Sequence, residues 1–136
     1  MLRFEAIKLP DKYEYLAPDC SEIRLLPEMK GGSMAHCTLP AGGISKPVHH
    51  RTVEEMWYCI EGDGEVWRRQ DDREEVTHFI PGVSLTIPTG THFQFRNTGE
   101  TPLRFIIAAM PPWPGASEAV QLDKGYWEGW VEECNE

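Results

Sequence analysis

The side chains of this chain that could do chemistry are imidazoles and carboxylates that lie close together in the sequence. His49 and His50 precede the acidic pair Glu54 and Glu55, and His92 begins a later apolar segment. Imidazole and carboxylate groups transfer protons in enzyme sites, and both bind divalent metal ions. His50 could therefore be a metal ligand or a general base, and the structural alternative is a partly buried histidine paired with Glu55.

Other common chemistries have no motif in this chain. There is no G-x-S-x-G nucleophile motif, no Walker phosphate loop and no G-x-G-x-x-G dinucleotide motif. The four cysteines, Cys20, Cys37, Cys59 and Cys134, form no C-x-x-C pair, which argues against a zinc knuckle or a thioredoxin-type site. We expect reduced thiols, with a disulfide as the less favoured alternative, and no organic cofactor.

Composition limits the possible partners. The chain has 136 residues, 40% of them hydrophobic, and a formal net charge of −9. This is the size of one domain with a packed core, and its acidity argues against a nucleic-acid partner. The longest apolar run, 105–110, is far shorter than the ~20 residues that span a bilayer, and the first residues lack a signal-peptide core. We therefore expect a cytoplasmic protein with no membrane partner.

Short strands separated by turns are the predicted elements. The chain contains 12 Gly and 11 Pro, which are spread along it as turn residues. Runs with strand character occupy 23–26, 34–39, 55–60, 65–69, 75–80, 84–87, 92–96 and 103–109. Many short strands in a domain of this size indicate an all-β fold, either a closed barrel or a two-sheet jelly roll.

Two stretches resemble the two motifs of the cupin superfamily. Residues 43–62, GISKPVHHRTVEEMWYCIEG, resemble G-x5-H-x-H-x(3 or 4)-E-x6-G, and residues 82–97, GVSLTIPTGTHFQFRN, resemble G-x5-P-x-G-x2-H-x3-N. The resemblance implies a double-stranded β-helix, a jelly-roll barrel with little helix. It implies a single domain over 1–136, with a barrel core at about 20–112 and flanking segments 1–19 and 113–136.

The resemblance also implies a partner. Members of the superfamily commonly dimerise, so we expect a homodimer. The aromatic tail around Trp113, Trp127 and Trp130 has the apolar surface that such an interface needs.

In the first motif, the frame is intact but one histidine is missing. Glu55, which six residues separate from the motif glycine Gly62, occupies the carboxylate ligand position of the family. With a four-residue spacer, His50 takes the second histidine position and Val48 takes the first. With a three-residue spacer, His49 takes the first position and Arg51 the second. Either register loses one imidazole.

In the second motif, Phe93 occupies the histidine position, and the nearest imidazole, His92, lies one residue early. A shift of one residue turns a side chain to the opposite face of a strand. A β-bulge beside each histidine would turn it back into the barrel. The metal ligands are then predicted to be His50, Glu55, His92 and His49.

Two functions follow from these two geometries. A retained site would hold Fe, Mn, Ni or Zn and a small organic molecule, as in the oxygenases, isomerases and cyclases of the superfamily, with catalytic residues unassigned. Strict alternation would instead make Val48 and Phe93 line an apolar cavity, as in a non-catalytic, metal-free binding or sensing module. The metal-dependent enzyme is the working hypothesis.

Strand alternation assigns further side chains to the cavity, because Trp57 and Cys59 share the parity of Glu55. The residues predicted to contact a small-molecule ligand are Trp57, Cys59, Phe93, Phe95, Met34 and His36. The alternative is that such side chains only fill a small barrel.

Overall fold

The computed structural model describes residues 1–133, and they form two antiparallel sheets. The strands are β1 Tyr15–Leu16, β2 Glu22–Glu28, β3 Ser33–Leu39, β4 Val48–His50, β5 Glu54–Glu61, β6 Gly64–Gln70, β7 Arg73–Phe79, β8 Ser84–Ile87, β9 His92–Asn97, β10 Leu103–Met110 and β11 Ala119–Gln121. The six-stranded sheet has the order β1-β2-β3-β10-β5-β8, and the five-stranded sheet has the order β11-β4-β9-β6-β7. The helical structure described is a 3₁₀ turn, Ala116–Glu118. The predicted all-β jelly roll is confirmed.

Strand alternation divides each sheet into an inner and an outer face. In β5, Glu55, Trp57 and Cys59 are buried, whereas Met56 and Tyr58 between them are exposed. The inner faces of the two sheets meet in one apolar core that includes aromatic side chains from both of them. The inner face of β5 is therefore the surface on which a site inside the barrel can be built.

The tight connection between β5 and β6, which leads from one sheet to the other, depends on a glycine. Gly62 has φ of 98°, and a Cβ atom there would lie 2.6 Å from the carbonyl oxygen of Pro102. Both the left-handed backbone and the close approach require a residue without a side chain. This glycine ends the first motif, and it sets where β5 stops.

The eight predicted strands are all present, and three further strands were missed. These are β1, β4 and β11, which have only two or three residues each. Segments this short carry no alternation that a sequence pattern can detect. The strand β4 exists because β11 and β9 pair with its two sides, over a large separation in sequence.

The C-terminal tail covers the outer face of the five-stranded sheet. The backbone N–H of Trp127 donates to Oε1 of Gln94 at 2.9 Å, and Nε2 of Gln94 donates to the carbonyl of Trp127 at 2.9 Å. The guanidinium of Arg96 lies 4.5 Å from the centroid of the Trp127 ring. Trp127 therefore packs on its own barrel, and the use of the aromatic tail as a dimer surface stays a prediction.

The described cysteines are in two different states. Cys37 and Cys59 are free and buried, whereas Cys20 is disulfide-bonded, so the expectation of a reduced thiol is wrong at Cys20. Cys134 lies outside the described residues.

Over residues 1–133, no helix has the length and apolar character needed to cross a membrane.

Candidate functional site

A cavity of about 540 Å³ lies between the two sheets. This volume is within the ~300–1,000 Å³ range of small-molecule sites. Its inner wall is built from Trp57, Phe93, Phe95 and Phe105, and exposed side chains such as Met34 stand at its mouth. The wall rings pack on one another, with centroids 4.6 Å apart for Trp57 and Phe105 and 5.4 Å apart for Trp57 and Phe93. The cavity is therefore a mainly apolar chamber with a packed aromatic inner wall.

Glu55 is the acidic group on the inner face of β5, and its side chain lines the cavity. It is 5% exposed, and its Oε1 accepts a hydrogen bond of 2.9 Å from the indole Nε1 of Trp57. Within residues 1–133, its other oxygen, Oε2, has no hydrogen-bond donor. Burial raises the pKa of Glu55 to about 7, with smaller contributions from the carboxylates of Asp19 and Glu118, against the lowering effect of the Trp57 hydrogen bond.

His50 contributes the imidazole of the cavity from the opposite sheet. It is 4% exposed, and its ring makes edge contacts with Phe93 and Trp113, at 5.0 Å between centroids in each case. Its Nδ1 is buried without a hydrogen-bond partner among the described residues. Burial lowers the pKa of His50 to about 4, although the carboxylate of Glu118 opposes this shift. The imidazole is thus neutral at neutral pH.

Glu118 holds the turn that joins His50 to Glu55. It is 4% exposed, and its Oε2 accepts hydrogen bonds from the N–H of Thr52 at 2.6 Å and of Val53 at 2.7 Å. Its Oε1 accepts one from the hydroxyl of Thr52 at 2.8 Å. Burial alone would raise the pKa of Glu118, but these hydrogen bonds lower it below its usual value. The 3₁₀ turn is in this way fastened to the β4–β5 connection.

His49 and His92 do not join His50 and Glu55. Neither lines the cavity, and their rings stack on each other with centroids 5.5 Å apart. Each follows or precedes a cavity-lining residue on its strand, so alternation turns it to the outer side of the five-stranded sheet. The register shifts in the structure lie in β10 and β2, so the bulges expected beside these histidines are not found at β4 or β9.

The predicted ligand-contacting residues are divided between the cavity and other places. Trp57, Phe93, Phe95 and Met34 line the cavity. Cys59 is fully buried deeper in the core, and its Sγ contacts the carbonyl of Glu61 at 3.6 Å. His36 pairs with Arg24 and Ile106 on the outer face of the six-stranded sheet, where burial and two arginines lower the pKa of its imidazole.

Several cavity residues were missed by sequence reasoning. Three of them, Tyr15, Asp19 and Cys37, lie close to one another in the cavity wall. Burial raises the pKa of each of these three side chains. Trp113 reaches the cavity from the segment after β10. No strand pattern marks Asp19 or Trp113 as a cavity residue, because Asp19 lies between β1 and β2 and Trp113 follows β10, both outside the strands.

The donor set does not fit the metal centre that the motifs imply. Of the four predicted ligands, His50 and Glu55 line the cavity. Over residues 1–133, no three or more His, Cys, Asp or Glu side chains are grouped so that they could hold a metal ion. Metal centres in proteins use three or four such ligands, so no chemical step is assigned to a metal here.

Comparison with known proteins gives one family. The family model described as "Cupin domain" matches residues 35–109. An uncharacterized protein of Methanocaldococcus jannaschii, MJ1618, is 31% identical over 104 residues, which cover 73% of this chain and 80% of that protein.

Solved structures share the fold at low sequence identity. A conserved protein with a double-stranded β-helix domain from Klebsiella pneumoniae aligns with a TM-score of 0.63 and 18% identity, over 76% of this chain and 85% of that one. Oxalate decarboxylase aligns with a TM-score of 0.65 and 17% identity, over 75% of this chain and 28% of that one. At this level of identity, the likeness establishes the double-stranded β-helix and no activity.

Proposed function

Because this chain belongs to the cupin domain family, we propose that its barrel cavity binds a small organic molecule without a resident metal ion. The observation that carries the proposal is the direction of the motif residues. His50 and Glu55 face an otherwise mainly apolar and aromatic chamber, while His49 and His92 face away from it. Apolar walls with a few polar groups are the usual design of a small-molecule site.

The test is a screen of small aromatic and aliphatic compounds by thermal shift and ligand-observed NMR. Ala35 lines the cavity, whereas Ala108 lies on the outer face of the same sheet. Ala35→Phe should fill the cavity and abolish binding, and the matched control Ala108→Phe should retain it. Binding to Ala35→Phe that equals binding to the wild type would contradict the proposal.

The metal-dependent enzyme remains the second candidate, and one observation favours it. Nδ1 of His50 is buried without a partner in the described chain, and a metal ion could occupy that position. The distinguishing measurement is elemental analysis of protein purified without added metal, compared with His50→Ala. A near-stoichiometric ion that is lost on substitution supports the enzyme, and no ion in either protein supports the metal-free site.

We also propose that the chain forms a homodimer through the outer face of its six-stranded sheet. Met56 and Tyr58 are each 50% exposed, and Ile60 is also exposed there. The register places Tyr58 beside Ile106, so the apolar side chains lie on adjoining strands. Contiguous apolar patches mark interaction surfaces, and a two-fold pairing of identical faces would cover both copies at once.

A further inference from the structure

Three carboxyl groups lie at the cavity, and an ammonium group beside them would favour their ionised form. Asp19 and Glu55 line it, and Glu28 stands at its mouth. Within residues 1–133, no lysine or arginine lines it. An anionic ligand would have no cation to pair with, and the nearby carboxyl groups would repel it. The formal net charge of −9 adds a field that attracts cations to the protein.

The aromatic walls of the cavity also favour a cationic ligand. The face of an aromatic ring carries negative electrostatic potential, and ammonium groups bind over such faces, most strongly over tryptophan. Trp57 and Trp113 line the cavity from opposite sides of Phe93 and His50, and two further phenylalanine rings, Phe95 and Phe105, complete the wall. A chamber with several aromatic faces and carboxyl groups provides both interactions that an organic cation uses.

Two polar atoms of the residues that line this chamber have no hydrogen-bond partner among the described residues. Nδ1 of His50 is buried and unpartnered, and Oε2 of Glu55 accepts no hydrogen bond. An unsatisfied buried polar group costs about 1–3 kcal/mol, so native proteins leave few of them without a function. The N–H groups of an amine ligand are the donors that Oε2 of Glu55 lacks.

We infer that the ligand of the cavity is a small organic cation, an amine whose apolar or aromatic body packs against the rings while its ammonium group faces Glu55 and Asp19. This inference rests on the proposed function, because it names the class of molecule that the cavity takes. The cation would donate an N–H hydrogen bond to Oε2 of Glu55, whose Oε1 already accepts from Trp57. An uncharged analogue of the same shape would keep only the ring contacts.

Three probes of nearly equal size test the charge preference: benzylamine, benzyl alcohol and benzoate, measured by calorimetry at neutral pH. We expect benzylamine to bind at least about tenfold more tightly than benzyl alcohol, the equivalent of about 1.4 kcal/mol, and benzoate to bind most weakly. Equal affinity for amine and alcohol, or tighter binding of benzoate, overturns the inference and leaves the proposed function intact. Failure of all three probes, together with an empty compound screen, contradicts the proposed function itself.

Charge-removing variants test where the preference arises. Glu55→Gln and Asp19→Asn each remove one cavity carboxyl at nearly constant shape, and each should reduce the affinity for benzylamine by about tenfold while leaving that for benzyl alcohol unchanged. Glu54→Gln is the matched control, because its side chain is exposed beside Glu55 on the opposite face of β5. If both cavity variants fold and both retain the full preference for the amine, the inference is wrong.

Discussion

Val48 of β4 lies directly opposite Phe93 of β9, and both side chains line the cavity. With the four-residue spacer in the first motif, these are the two positions at which this chain lacks a histidine of the family pattern. The two missing imidazoles are therefore neighbours in space, and an apolar cross-strand pair takes their place. A single apolar contact explains why both motifs depart from the pattern in the same chain.

Restoring this pair should create a metal site. Val48→His combined with Phe93→His would place two imidazoles beside His50 and Glu55, giving four donors that face one cavity. We expect Co²⁺ and Ni²⁺ to bind the double variant at least about a hundredfold more tightly than the wild type, because two ligands are added. Calorimetry and the visible absorption of bound Co²⁺ provide the measurement, and His50→Ala in the same background should reverse the gain. Unchanged metal affinity would show that the four positions do not converge.

The carboxyl of Glu55 should make stability depend on pH. Its folded pKa of about 7 lies above the ordinary value of 4.5, so its stabilising contribution is present below pH 4.5 and is lost as the pH rises through 7. The amide side chain of the Glu55→Gln variant cannot ionise. The free energy of unfolding of this variant should therefore increase relative to that of the wild type as the pH rises. The expected gain between pH 5 and 8 is about 1–3 kcal/mol, measured by urea unfolding.

The comparison between variant and wild type is needed because His50 acts in the opposite direction. Its folded pKa of about 4 lies below the ordinary value of 6.5, so its contribution is present above pH 6.5 and is lost as the pH falls through 4. Glu54→Gln controls for the removal of one carboxylate from the chain. A difference between Glu55→Gln and the wild type that does not change with pH would contradict the assigned environment of Glu55.

Removal of the Glu118 carboxylate should loosen the turn between β4 and β5. Glu118→Ala leaves the N–H groups of Thr52 and Val53 without their acceptor in a buried place. We expect a loss of about 3 kcal/mol in the free energy of unfolding, typical of removing a charged acceptor. The exposed Glu128 offers a control, since Glu128→Ala should change stability by less than about 0.5 kcal/mol. A loss as small as that of the control would mean that Glu118 does not hold the turn.

A charge introduced on the outer face of the six-stranded sheet should weaken the dimer if this face joins two copies of the chain. Tyr58→Lys places a charge in the middle of the apolar patch and should weaken the dimer by about a hundredfold, because an unpaired charge would be buried in the interface. Analytical ultracentrifugation measures this, with Asp72→Lys, in the exposed turn between β6 and β7, as the control. A wild-type chain that stays monomeric at high concentration would contradict the proposed dimer.

Local patterns were sufficient for the long strands of this protein. Alternation along 55–60 placed Glu55 and Trp57 on one face, and both line the cavity. The same patterns could not determine whether a bulge lies beside His49 or His92, because a bulge depends on how a strand pairs with its neighbours. Strict alternation in both strands turned these two histidines outward.

Short-range periodicity is a property of each strand alone, and it determined which residues form the long strands and that Glu55 points inward. The turn glycines between the strands were likewise visible in the sequence. The site itself depends on contacts between distant parts of the chain. Glu118 reaches the turn after His50 across more than sixty residues, and Trp113 and Asp19 arrive at the cavity from opposite ends of the barrel core. No local sequence pattern predicts these long-range contacts, because they depend on how one sheet and its flanking segments pack against the other.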